Sequence, residues 1–444
     1  MIRLARWILP CTAMLAGPAH AGTDTAINVM AYGATGDGHT DDSRAIKAAF
    51  AAANATGGQI TIHFPPTPGG GYLYCPASDP TLDITVPNVT LAGEGRASII
   101  LTCQTGADFI HVHPVKGPNL LGFQMRDIAI YATGANPVSG ALLHLENVNT
   151  FKIAGSDLSA YYGGLFLDGA VHGTVTGTNI TSDANFTRFA PASYLVKAGK
   201  SATGINTSEV HFDSMELRGQ NGNNNLDSAL LVTGIDGILL ANPHIGFARY
   251  GIRIQPADDR AQVTGLVIRG GSLDTCGEDC LYVAAPDNSY HADFGAHDLD
   301  FAAIYNAGQN GIRWNLTSTG AVLWSRLNLS FGWQIGQSGI RFDQADHIVL
   351  SPGWVIQGVG MKVAPGRCTA ATCSGIMLDN GSNNISIGDG TVARGLSPHG
   401  ECAIGIATGV DTFTTGLIHN KGMTKGLCDT STTAHKSTGT VLGW

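Results

Sequence analysis

One phrase returns along this chain with the same grammar. YGIRIQP (250–256), NGIRWNL (310–316), SGIRFDQ (338–344) and SGIMLDN (374–380) each run small residue, aliphatic, exposed-type residue, bulky apolar, polar. EDCLYVA (278–284) and CAIGIAT (402–408) fit the same series. Aligning Gly251, Cys280, Gly311, Gly339, Gly375 and Ala403 gives steps of 29, 31, 28, 36 and 28 residues. Periods of roughly 20–50 residues mark solenoids or propellers. A second strand signal lies between the phrases, as in VTGLVIRGGSL (263–273), AHDLDFAAI (296–304) and DHIVLSPGWVI (346–356). Two or three short strands per repeat predict stacked coils rather than four-stranded blades. A unit of this kind cannot bury its apolar side alone and must stack on its neighbours.

Alternation inside each strand assigns the faces. Ile252 and Ile254, Ile312 and Trp314, Ile340 and Phe342, and Ile376 and Leu378 are predicted to point inward, and the residues between them outward. The chain is therefore expected to be all-β, with tight corners made by Gly and Asn, which tolerate positive φ. Its 59 glycines and 13% charged residues suit strands buried on one side throughout. A length of 444 residues ordinarily suggests two or three domains. In a solenoid each coil contacts only its neighbours, so one domain over 22–444 is expected. Within it, coils run over 102–428, and a Thr- and Ser-rich tail, 429–444, is expected to be loosely ordered.

The first 21 residues read as an export leader. Arg3 and Arg6 precede an apolar run that ends at Ala19-His20-Ala21, an A-x-A cleavage pattern. The run is broken by Pro10 and Pro18 and is too short to span a bilayer. A secreted or periplasmic protein is expected. Eight cysteines then remain, in close pairs: Cys75 and Cys103, Cys276 and Cys280, Cys368 and Cys373, Cys402 and Cys428. An oxidising compartment favours disulfides, although eight cysteines allow about 105 connectivities.

Helical patterning occurs once. Ala45, Ile46, Ala49, Phe50 and Ala53 recur at helical spacing behind Thr40-Asp41-Asp42-Ser43. Thr40 or Asp41 is expected to cap this short helix, whose acidic start suits the helix dipole. Such a helix can close the open end of a solenoid.

Residues 27–29, AYGATGDGHTDDSRAIKAAFAAA (31–53), GGQITIHFPP (57–66), GGGYLYC (69–75) and ITVPNVTLAGEG (84–95) together resemble the N-terminal module of the pectate lyase superfamily. Polygalacturonases, exopolysaccharide-cleaving enzymes and phage tailspikes share this opening. The resemblance is specific over 27–101 and continues more weakly to about residue 420. It implies a right-handed parallel β-helix with carbohydrate-binding surfaces. It also implies a structural role for the Asp37, Asp41 and Asp42 cluster.

Gly277-Glu278-Asp279-Cys280 resembles the Gly-Asp-Asp-Cys motif of polygalacturonase-like glycoside hydrolases, and glycosidic cleavage ordinarily uses two carboxyl groups. The resemblance implies a catalytic role for Glu278 and Asp279. The other stations of that pattern are altered. Tyr250 stands where an Asp is expected, Asn310 where a His is expected, and Asp343 where a Lys is expected, while Arg341 is kept. Asp343 lies two coils from Asp279, about 10 Å by strand spacing. That is near the roughly 6.5–9.5 Å separation of an inverting pair, so Asp343 is a candidate second carboxylate.

The outward positions carry a ladder. Arg253, Tyr282, Arg313 and Arg341 occupy one slot in four successive coils. At about 4.8 Å per coil they span about 14 Å, and such a ladder can bind carboxylates and stack on sugars. Tyr250 and Asn310 border it. Acidic residues in the next slot offer the other outcome, in which the arginines pair within the protein. The net charge of −9 argues against general attraction to polyanions, so an acidic glycan must be recognised locally.

The expected function is hydrolysis of glycosidic bonds in an acidic, uronate-containing polysaccharide. The alternatives are a polysaccharide lyase acting by β-elimination and a non-catalytic glycan-binding β-helix. No cofactor, metal, nucleic acid or membrane partner is implied, and a monomer is expected. His111 and His113 alternate on a strand, but no third metal ligand is evident in the sequence around them.

Overall fold

The computed structural model describes residues 25–443 except 68, 104–105, 134–138, 184–188, 221–224, 259, 286–292, 317–321, 364–366, 370–371, 380, 396–399 and 434. The leader expected over Met1–Ala21 lies outside the described residues.

The glycine of the repeated phrase has a steric cause. A Cβ on Gly251 would lie 2.7 Å from the Cys280 carbonyl oxygen, and a Cβ on Gly339 would lie 2.6 Å from that of Gly375. Both oxygens belong to the equivalent position one coil further on. The coils close together because this column carries almost no side chain. The apolar residues then stack in register. Ile252 lies over Leu281, Ile312, Ile340, Ile376 and Ile404 in turn. Trp314 lies over Phe342 and Leu378. All eight residues expected to point inward are buried completely.

These contacts build a parallel β-helix. Every paired strand runs parallel to its neighbours, as stacking of successive coils requires. Among the described residues thirteen strands, from Leu82–Ile84 to Lys425–Asp429, form one sheet. The other twenty-eight hydrogen-bond as one sheet that turns a corner, bridged by the long strands Val89–Thr102 and Leu120–Ala132. Asn88, Asn147, Asn242, Asn306 and Asn384 hold positive φ at corners, where an amide side chain tolerates the left-handed region.

The helix runs Ser43–Thr56 and buries Ala45, Ile46, Ala49, Phe50 and Ala53 against the first coils. Its capping follows one of the two expectations, through Asp41. Asp42 is the N-cap but makes no side-chain cap bond. Its carboxylate instead accepts from the Thr35 and Gly36 backbone N–H groups, at 2.7 and 3.1 Å. Asp41 accepts from the Ser43 N–H at 3.0 Å, while Thr40 is drawn away to Asp37. The tail differs from expectation. Lys436–Thr438 and Val441–Gly443 pair with the preceding coil, because Ser and Thr there find an open sheet edge to extend.

All four close cysteine pairs are disulfide-bonded: Cys75–Cys103, Cys276–Cys280, Cys368–Cys373 and Cys402–Cys428.

Candidate functional site

The thirteen-stranded sheet turns one continuous column of side chains outward. Its register runs Asp83, His111, His144, Phe166, Lys197, Leu231, Arg253, Tyr282, Arg313, Arg341 and Met377. The ladder expected from the repeat is therefore the downstream half of a longer column.

In that downstream half the arginines are paired. Arg253 donates to Asp227 at 2.7 Å, Arg313 to Asp343 at 3.0 Å and Arg341 to Asp379 at 2.7 Å. Arg341 Nε also lies 3.5 Å from Asp343. Tyr282 stacks on Tyr250 with ring centroids 5.2 Å apart. Asp227 and Asp343 are nearly inaccessible, while the arginines keep partial contact with solvent.

Glu278 and Asp279 turn to different sides. Glu278 accepts from Arg249 Nε and from the Tyr250 hydroxyl, each at 2.7 Å. Burial opposes its ionisation, but these two bonds hold its pKa below the ordinary value. It opens on a cavity of about 250 Å3 beside Phe189 and Arg249. Asp279 is buried and accepts from the Asn310 backbone and side-chain N–H groups, at 2.9 and 2.8 Å. Burial raises its pKa despite those bonds. Asp343 belongs to the arginine pairs. The structure therefore brings Tyr250 to Glu278, Asn310 to Asp279, and Asp343 to Arg313 and Arg341.

Upstream the column changes character. Val196 and Ala198 point inward from the strand Ala190–Gly199, so Lys197 faces out between them. Its ammonium lies 4.2 Å above the Phe166 ring centroid and 5.9 Å from that of Tyr194. Among the described residues no carboxylate comes within ion-pairing distance of it. Burial lowers its pKa, with Asp168 and Asp108 opposing from further off. Lys197, Tyr162, Tyr194, Leu231, Arg253 and Gln255 line a cavity of about 410 Å3. Gly163 makes room there, since a Cβ on it would lie 2.9 Å from the Tyr194 hydroxyl. Burial, with Asp108, Tyr162 and Asp168 nearby, raises the Tyr194 pKa far above its ordinary value, so this phenol stays protonated.

His144 stacks between Phe166 and His111, with centroids 4.4 and 4.5 Å away. Its Nδ1 lies 2.7 Å from Asp108 and its Nε2 lies 3.6 Å from Asp168. Burial lowers its pKa, but the two carboxylates outweigh burial and raise it to about 9. His144 is therefore an imidazolium at neutral pH.

A cavity of about 460 Å3 beside Trp324 and Phe413 lies on the other sheet. Lys436 lines it, and its ammonium is taken by Asp429 at 2.7 Å.

The sequence reading did not single out Lys197, Tyr194, Phe166 or His144. The signal was present: ALLHLEN (141–147), GLFLDG (164–169) and YLVKAG (194–199) carry the same alternation upstream. They lack the Gly-Ile-Arg wording that drew attention to the later coils.

Residues 26–153 match a family described as rhamnogalacturonase A/epimerase, pectate lyase-like. A mannuronan C5-epimerase of Azotobacter vinelandii (AlgE6) is 35% identical over 116 residues, 25% of this chain and 13% of that protein's length. In structure, the A-modules of two mannuronan C-5 epimerases of the same organism (AlgE6 and AlgE4) align over 94% of this chain and 99–100% of theirs. Each has a TM-score of 0.56, at 15% and 16% identity. PfbA, a surface adhesin of Streptococcus pneumoniae, aligns over 90% of this chain and 93% of its own with a TM-score of 0.54 and 13% identity. These likenesses in structure establish a right-handed parallel β-helix.

Proposed function

We propose that this chain, pectate lyase-like in its N-terminal part and a right-handed parallel β-helix over its length, acts on a uronate-containing polysaccharide by removing the C5 proton beside the sugar carboxylate. The observation that carries this reading is Lys197. It is a half-buried amine facing a groove cavity, with no carboxylate among the described residues within ion-pairing distance. A buried, unpaired lysine is the kind that serves as a general base. Tyr194 beside it is shifted the opposite way. Neighbouring groups whose pKa values are pushed apart divide into base and acid.

The steps balance as follows. Arg253, which lines the same cavity and gives one nitrogen to Asp227, receives the uronate carboxylate with the rest of its guanidinium. Neutralising that carboxylate makes the C5–H bond more acidic. Lys197 Nζ takes the proton, leaving an electron pair at C5 that is delocalised into the carboxylate. In elimination the pair forms a C4–C5 double bond and the oxygen on C4 leaves, taking a proton from Tyr194. In epimerisation C5 itself takes the Tyr194 proton from the opposite face. Water exchange restores both residues. The 35% identity to a mannuronan C5-epimerase over 116 residues supports chemistry at this carbon.

Four disulfides support export to an oxidising compartment. No helix among the described residues is long and apolar enough to cross a membrane.

Incubation with polymannuronate, polygalacturonate and other polyuronates in heavy water tests the reading. Ultraviolet absorbance of an unsaturated product, or deuterium at C5 without chain cleavage, is the expected result. New reducing ends with neither signal would replace it with hydrolysis. Binding without any product would replace it with adhesion. Hydrolysis has one observation in its favour: the ionised Glu278 opens on a cavity beside Arg249. Loss of activity in Glu278→Gln with Lys197→Ala unaffected would assign the chemistry there.

A further inference from the structure

The upstream end of the column holds a cluster that the proposed chemistry does not use. His111 and His113 alternate along one edge of the chain, so both rings turn to the same side, with centroids 4.2 Å apart. The preceding coil places Asp83 directly beside His111. Asp83 Oδ1 lies 3.3 Å from His113 Nε2 and 3.8 Å from His111 Nδ1. The third ligand that the local sequence did not reveal is thus supplied from 28 residues upstream by the coil register.

The spacing fits a metal ion. Two imidazole nitrogens and one carboxylate oxygen lie within 4.8 Å of one another. In a tetrahedral zinc shell with bonds of about 2.0–2.2 Å, adjacent ligand atoms lie about 3.3–3.5 Å apart. The second nitrogen of His111 supplies an independent observation. His111 Nε2 lies 3.0 Å from Glu146 Oε2. With Nε2–H donating to Glu146, the Nδ1 lone pair faces Asp83, at a distance too long for a hydrogen bond. A carboxylate that fixes the tautomer of a ligating histidine is the usual outer-shell arrangement. The neighbouring trio of Asp108, His111 and His144 is a poorer site, because both His144 nitrogens face carboxylates.

We propose that Asp83, His111 and His113 form a binding site for a divalent transition metal of the zinc class, with Glu146 as a positioning residue. The three ligands leave coordination positions for water, and all three side chains keep contact with solvent. The site lies three coil steps from Lys197, about 14 Å along the groove.

The test uses untagged full-length protein, stripped with a chelator and dialysed, with zinc chloride as the probe and no polysaccharide present. Calorimetry is expected to show one equivalent of zinc per chain, and X-ray absorption two imidazole nitrogens on the metal. His113→Ala and Asp83→Asn are each expected to weaken binding at least about tenfold, and Glu146→Gln by about 10–100-fold with the same nitrogen count. Circular dichroism monitors folding, and Asp83→Asn, a near-isosteric change at an exposed position, keeps the test decisive if the histidine variant fails to fold. Substoichiometric binding, unchanged affinity in Asp83→Asn, or a spectrum without imidazole ligands would overturn the proposal. Because no substrate is involved, the result stands apart from the C5-proton reading.

Discussion

Downstream of Leu231 the outward column reads Arg253, Tyr282, Arg313 and Arg341, and each guanidinium is tied to a carboxylate within 3.0 Å. Upstream it reads Phe166 and Lys197, and the ammonium rests on a ring. The two stretches share one sheet, one register and one face. What differs is the slot two residues further along. Beside Arg313 and Arg341 that slot offers Asp343 and Asp379. Beside Lys197 it holds Gly199, with Asp168 in the preceding coil too far off to pair with the ammonium and Thr233 in the following one. A column of outward cations is therefore not uniformly a ligand surface. Arg313 and Arg341 are held by scaffold carboxylates from that slot, and Arg253, whose own slot holds Gln255, gives one nitrogen to Asp227 of the preceding coil. Lys197 has no carboxylate within ion-pairing distance among the described residues and rests on rings.

The contrast breaks first at Lys197. Lys197→Ala should lower turnover of a polyuronate by about 10²–10⁴-fold, the range of a lost general base, with the melting temperature nearly unchanged. Equal losses in Lys197→Ala and Arg341→Ala, measured as product formed per time, would erase the distinction between the two halves.

His144 gives the next effect, on stability. Its pKa in the folded chain, about 9, exceeds the ordinary 6.5. The folded state thus binds its proton more tightly. The stabilisation is complete below about pH 6.5 and is lost as pH rises through about 9, with a ceiling of about 3 kcal/mol. The depressed pKa of Asp108, which burial opposes and the His144 bond produces, is the same pair seen from the carboxylate and adds nothing further. Urea titrations of the native protein and His144→Gln should differ most near pH 6 and converge near pH 10. A gap that is constant with pH would refute the charged pair.

Asp343 probes the downstream half. Asp343→Ala leaves Arg313 and Arg341 without a shared carboxylate. It should cost about 2–3 kcal/mol, below the full range for a broken buried pair because both arginines keep some solvent contact. Chemical denaturation measures this directly, and activity per folded molecule should hold. The smallest effect is expected for Glu278→Gln. That change keeps the shape of the carboxylate and loses charge against Arg249, so the rate should change little.

Much of this was legible in the residues. The inward columns followed from strict alternation, since a strand's neighbours two residues apart share a face whatever surrounds it. The Arg–Tyr–Arg–Arg register followed from the same rule applied across four phrases. The upstream members of the column obey it too, but ALLHLEN and YLVKAG do not repeat the Gly-Ile-Arg wording that makes the later coils conspicuous. The helix was legible from its apolar spacing, and its cap only as a choice between Thr40 and Asp41. Each of the three aspartates takes its own donors, Asp42 those of Thr35 and Gly36, Asp37 that of Thr40 and Asp41 that of Ser43, and only folded geometry decides which of them reaches the helix.

By itself, the sequence determined a chain of stacked coils, the residues that fill its interior and the side on which its cations emerge. Those properties rest on periods of two and of about thirty residues, and both can be counted along the chain. Only the tertiary structure decided who meets whom across coils. Asp83 reaches His111 and His113, and Asp343 reaches Arg313, from about thirty residues away. Such meetings depend on corner lengths and on a lateral register that no local pattern encodes. That register separates an arginine neutralised by its own scaffold from a lysine that rests on an aromatic ring.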